Sequence, residues 1–298
     1  MLVKTFGSAV QGINATIITI EVNMSRGINF HMVGLPDSAV KESQQRVISA
    51  IKESGFKMPG KKIVINMSPA DIRKEGSAYD LPIALAILAA SEQMSGDKLD
   101  KLVIMGELSL DGGLQPIRGV LPIAIQAREE GFDGFILPVQ NVREAAVVNN
   151  LKVYGVENIR QVIEFLDGKT DLEPTVIDTR EEFYSNVKNL DIDFADVKGQ
   201  ETVKRALEIS AAGGHNIIMI GPPGAGKTML AKRLPGIIPP FTLFEALETT
   251  KIHSVAGQIA RETSLMTSRP FRSPHHTISD VALLMLRNIN SQSYHPHP

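Results

Sequence analysis

Eight consecutive residues carry the clearest chemistry in the chain: Gly221, Pro222, Pro223, Gly224, Ala225, Gly226, Lys227 and Thr228 match G-x-x-x-x-G-K-[ST] at every fixed position. That spacing serves anion binding. The glycines let the backbone curl so that successive N–H groups converge on a phosphate. A helix starting just after the loop adds its positive N-terminal end. Lys227 reaches the β- and γ-phosphates as a mobile point charge, and the Thr228 hydroxyl ligates Mg²⁺. ATP and Mg²⁺ are therefore the expected cofactors, with Thr228 as metal ligand. Spacing assigns no catalytic residue.

Such a loop needs a strand before it and a helix after it. The apolar run NIIMIG (Asn216–Gly221) predicts the strand, and TMLAKRL predicts the helix. The whole chain has 298 residues, which at about 100–200 residues per domain predicts two domains. Residues 1–170 alternate β-rich runs with helical stretches, an α+β or α/β pattern. Strands are expected at Ile17–Val22, in KKIVINMSP and in GFILP, and a hairpin around Asp111-Gly112-Gly113. Helices are expected over 38–54, 81–90, 117–131 and 141–149. Residues 171–193 are acidic and lack apolar periodicity, and read as a linker with some helix near Glu181–Val187. Residues 194–298 hold the phosphate loop.

Composition narrows the function classes. Thirty-one basic against 33 acidic residues leave a formal net charge of −2, so no general basic coat for nucleic acid exists, although local patches remain open. No cysteine is present, which excludes disulfides and Cys-ligated zinc or iron–sulfur sites and fits a reducing cytosol. The longest apolar run, Leu81–Ala90, is half of the roughly 20 residues a membrane span requires. It predicts a buried helix, no membrane partner and a cytoplasmic protein.

The strings VGLPDSAVKES, INMSPADIRKEGSAYDLPIALAIL, GELSLDGGLQPIRGVLP, GPPGAGKTMLAKRLPGIIPP and RPFRSPHHTIS together resemble the Mg-chelatase-like AAA+ ATPases of the YifB/ComM type, from Met1 to about Leu283. The resemblance implies a Lon-protease-like (ribosomal-protein-like α+β) domain followed by a P-loop AAA+ α/β domain. It implies an ATP hydrolase of a family associated with DNA handling, including helicase action, and ring self-association. It also implies that Val197-Lys198-Gly199-Gln200 packs near the adenine, with Val197 and Gly199 as binding residues. In the family a Walker B strand ending in Asp-Glu, a sensor, an arginine finger and a helical lid follow. After Lys227 this sequence shows no apolar strand ending in a carboxylate pair. The expectation is a truncated AAA+ module that binds ATP and hydrolyses it poorly. The alternative is a non-catalytic nucleotide-binding or regulatory module. The motor subunit of Mg-chelatase is a further relative, but without the Lon-like domain.

The resemblance to Lon-type peptidases, which use a Ser–Lys dyad, places Ala78 at the nucleophile position, beside Ser77, and Leu121 at the lysine position. A serine without a base is a weak nucleophile, so peptidase activity is not expected, and Ser77 reads as a helix N-cap. His275 and His276 sit in a stretch with Arg269 and Arg272. As sequence neighbours they point in different directions and do not chelate one metal together; a loop contacting partners or DNA and a loop with local hydrogen bonds both fit. Lys198, Lys204, Arg205, Lys232 and Arg233 make the start of the second domain basic, which fits DNA contact or a solvated helix face.

Overall fold

The computed structural model describes residues 2–186, 193–260 and 263–273; His275, His276 and the terminal residues lie outside that set. The described chain forms two units. One holds residues up to Thr179 together with Thr250–Ser264; the other holds Arg180–Thr249 and the described residues from Leu265 onward.

The first unit is built on a seven-stranded mixed sheet. Strands β1 (Leu2–Gln11) and β2 (Asn14–Ser25) form an antiparallel hairpin in register from Leu2↔Asn23 to Gln11↔Asn14. Gly12, at φ 61°, supplies the left-handed turn. After β3 (Phe30–Val33), the 16-residue α1 (Ser38–Glu53) opens on Asp37, whose carboxylate accepts from the Val40 N–H at 2.8 Å. Its buried Val40, Val47, Ala50 and Ile51 share one face. Strand β4 (Lys62–Ser68) then lies between β3 and β2.

Helix α2 (Asp80–Ala90) is buried at every position. It has no polar face because core surrounds it, and each fully buried Leu or Ile there contributes about 1.5–3 kcal/mol. Its first residue, Asp80, is held by Arg46 Nε at 2.6 Å and Nη2 at 3.0 Å, and by the Leu108 N–H at 3.2 Å. Strand β5 (Leu102–Ile104) follows, then the small hairpin β6 (Glu107–Leu108) and β7 (Leu114–Gln115) around Asp111-Gly112-Gly113. Helix α3 (Val120–Glu129), strand β8 (Gly134–Pro138), the single-turn α4 (Val142–Ala145), strand β9 (Lys152–Val156) and α5 (Ile159–Leu166) complete the order. The sheet runs β3-β4-β2-β1-β5-β8-β9, with β3–β4 and all pairs from β1 to β9 parallel. Gly34 closes the turn after β3 at φ 100°, where a Cβ would lie 2.1 Å from the Met67 carbonyl oxygen.

Helices α6 (Thr179–Asn186), α7 (Glu201–Gly213), α8 (Lys227–Ile237) and α9 (Leu243–Val255) follow. Two expectations differ from the structure, and one strand is unannounced by the sequence. Asn216–Gly221 has no strand partner among the described residues, and Ile218 and Ile220 are 82% and 90% exposed. A strand is defined by the neighbour it pairs with, so β-branched residues alone do not make one. The helix expected over 141–149 shrinks to Val142–Ala145, because the Val148 N–H turns back to the Ala145 carbonyl and the Thr179 hydroxyl takes the Val147 carbonyl. Strand β1 carries no sequence signal: both of its faces are partly buried, one holding Thr5 and the other Ser8, whose hydroxyls donate to the Pro82 and Thr16 carbonyls, so apolar alternation is broken.

Candidate nucleotide site

The second unit has a small core of Phe194, Val197, Leu207 and Leu230. It pins a one-turn 3-10 helix (Phe194–Asp196) and helices α7 and α8 together. Arg233 of α8 donates from Nε to the Asp193 carbonyl at 3.0 Å and pairs with Asp196 at 3.2 Å, which fixes the entry to α7. Gly199 and Gln200 turn the chain into α7 with φ of 67° and 58°.

The phosphate-loop residues lie between the unpaired run and α8. Gly224 and Gly226 both stand at φ 80°, a conformation costly for other residues. A Cβ on Gly224 would meet nothing, so backbone shape, not space, requires glycine there. Apart from Ala225, which donates to the Pro222 carbonyl at 3.3 Å, the amides from Gly224 to Thr228 have no acceptor among the described residues. Gly226 caps α8, leaving the first helical N–H groups of Lys227 and Thr228 free. The Lys227 ammonium donates to the Gly221 and Pro222 carbonyls, both at 2.8 Å. It lies within the loop's own curve. Thr228 is exposed at the second helical position. Free amides, a helix N-terminus, one lysine and one exposed hydroxyl form a donor set that fits a polyphosphate with its cation.

Beside the loop is a cavity of about 330 Å³, lined by Gln200, Val203, Ala206, Ile218, Ala225 and Lys227 among others. Val197 is 2% exposed within the core cluster, and it is Gln200 and the α7 face that border the cavity. Gln200 is not among the binding residues that the resemblance implies; the sequence signal for it is its position at the start of the helix leading to the loop.

In the first unit, the Ser77 hydroxyl donates to the Glu107 carboxylate. The N-cap of α2 is Tyr79, with no side-chain capping bond, so Ser77 is not the cap expected. Leu121 is fully buried, and its N–H donates to Glu144 at 3.1 Å. Lys74 is also buried and donates to the Pro69 carbonyl; burial lowers its pKa from the usual lysine range.

Two family models match the sequence: "Subunit ChlI of Mg-chelatase" over residues 20–141, and "Magnesium chelatase, subunit ChlI" over 193–290. YifB of Escherichia coli K12 is 45% identical over 280 residues, covering 93% of this chain and 53% of that protein. Competence protein ComM of Haemophilus influenzae is 41% identical over 286 residues, covering 95% of this chain and 55% of that protein. The chain belongs to the Mg-chelatase-like family of YifB and ComM. The chain also shares sequence with Lon: Lon protease 2 of Bacillus subtilis is 25% identical over 148 residues, 49% of this chain and 26% of that protein. The chain spans about half the length of the YifB and ComM proteins it matches. None of the helices among the described residues is long and apolar enough to cross a membrane.

Proposed function

We propose that residues 194–298 bind ATP with Mg²⁺ through Gly221–Thr228, and that this YifB/ComM-type chain belongs to a cytoplasmic, ring-forming motor that handles DNA. The domain division is 1–170, Lon-like and without a peptidase dyad, 171–193 as linker, and 194–298. The observation that carries the nucleotide reading is the set of amides at Gly224, Gly226, Lys227 and Thr228 that have no acceptor among the described residues, with Lys227 closing the loop. On binding, Lys227 exchanges its two carbonyl acceptors for phosphate oxygens, a stronger charge-assisted pairing. The freed amides orient the phosphates, and the Thr228 hydroxyl holds the cation. Mg²⁺, when bound, neutralises charge on the β- and γ-phosphates. Val197 and Gly199 shape the base side indirectly, by anchoring the turn that presents Gln200. The DNA role is supported by resemblance to the YifB/ComM type.

A second reading, a nucleotide-binding or regulatory module without turnover, is favoured by one observation: among the described residues no carboxylate lines the cavity beside the loop. Calorimetric titration of Mg-ATP into the 298-residue chain should give saturable binding that Lys227→Ala abolishes. Absence of binding by the parent would refute the nucleotide reading. Steady ATP turnover lost in Lys227→Ala would refute the module reading.

A further inference from the structure

Several cations gather at one corner of the first unit's sheet. Strands β1, β3, β4, β5, β8 and β9 all begin at one end, where β2 finishes. At the corner where β2 ends and β3 and β4 begin, Ser25 pairs with Lys62 and Phe30 with Ile63. Arg26, Lys61 and Lys62 meet there; a Cβ on Gly27 would lie 3.2 Å from the Lys62 Cβ. Lys57 precedes β4, and Lys52 stands in the last turn of α1. Among the described residues none of these five cations has a carboxylate partner within ion-pair distance. From Lys52 to Lys62 the only carboxylate is Glu53.

We infer that this corner is a contact surface for the phosphodiester backbone of a nucleic acid. Unpaired cations on two adjoining loops and a helix end create a local positive field on a chain whose net charge is −2, and such a field attracts a polyanion independently of its sequence. A membrane surface is the poorer fit. Ile28, 89% exposed, is the one aliphatic residue in the Ser25–Asn29 loop, whereas interfacial lipid binding uses a broad apolar face beside its cations. The inference rests on the DNA-handling reading above and names the surface that would serve it, outside the nucleotide site.

The test is fluorescence anisotropy of a short labelled duplex, and of one of its strands, titrated with the full chain across a range of salt concentrations. The R26A/K61A/K62A variant should bind about tenfold or more weakly, with a salt slope smaller by about 3. A control that removes the same charge from exposed sites at the other end of the sheet, K41A/R73A/R118A, should stay close to the parent. R26K/K61R/K62R should retain binding, which separates lost charge from lost fold. Equal weakening in the two alanine triples overturns the corner as a site and leaves the DNA reading standing. A parent that binds no DNA at low salt overturns both. Binding to phosphatidylserine vesicles but not to DNA, lost in R26A/K61A/K62A, overturns the nucleic-acid inference in favour of lipid.

Discussion

Asp80 shows how a single side chain is tuned by where the sequence puts it. Burial, opposed by the Arg46 hydrogen bonds, raises its pKa from 3.8 to about 6. The folded chain therefore binds that proton more tightly than the unfolded one. Between about pH 4 and 6 the folded state carries the extra proton, so this group's stabilisation is present at the acid end and is lost as pH rises. The Asp80→Asn variant removes the titration. The stability margin of the parent over Asp80→Asn, followed by circular dichroism melts, should shrink from pH 4 to 6; a margin that grows would disprove the sign. At the other site, Thr228 is the hydroxyl offered to the cation. Added Mg²⁺ should tighten ATP binding by the parent, and Thr228→Ala should lose most of that gain while ATP alone still binds.

At the scale of elements, two positions in the first unit carry measurable weight. Gly34→Ala puts a methyl on the Met67 carbonyl at a left-handed φ, and should cost roughly 2–4 kcal/mol in denaturant unfolding. Leu85→Ala opens a cavity in a helix with no exposed face, at about 2–5 kcal/mol. These elements differ in how openly the sequence announces them. Helix α1 was legible because its polar face is wet, and α2 because an unbroken apolar run of that length has one economical location. The phosphate loop was legible because only glycine tolerates its backbone. Strand β1 was hidden by Thr5 and Ser8, whose burial depends on carbonyls at Pro82 and Thr16, distant or local partners no periodicity displays. Asn216–Gly221 read as a strand because its residues prefer one, yet pairing is a property of two segments. The cavity face of Gln200, Val203 and Ala206 depends on how α7 meets the loop, which spacing along one segment cannot encode.

For the molecule as a whole, the exposed Ile218 and Ile220 form an apolar run with no strand beside it among the described residues. Such surface promotes association. The parent should show concentration-dependent growth in light scattering, and Ile218→Thr with Ile220→Thr should reduce it. A monodisperse monomer at high concentration would contradict this. The chain also leaves the first unit at Thr179 and re-enters it at Thr250. The return is fastened: the Gly119 N–H donates to the Ser254 carbonyl at 3.1 Å, and the buried Ser254 hydroxyl donates to Glu144. The region from Arg180 to Thr249 is thus an insertion held at both ends. A single proteolytic nick within 171–178 would leave two fragments that migrate together on a native gel and separate only in denaturant.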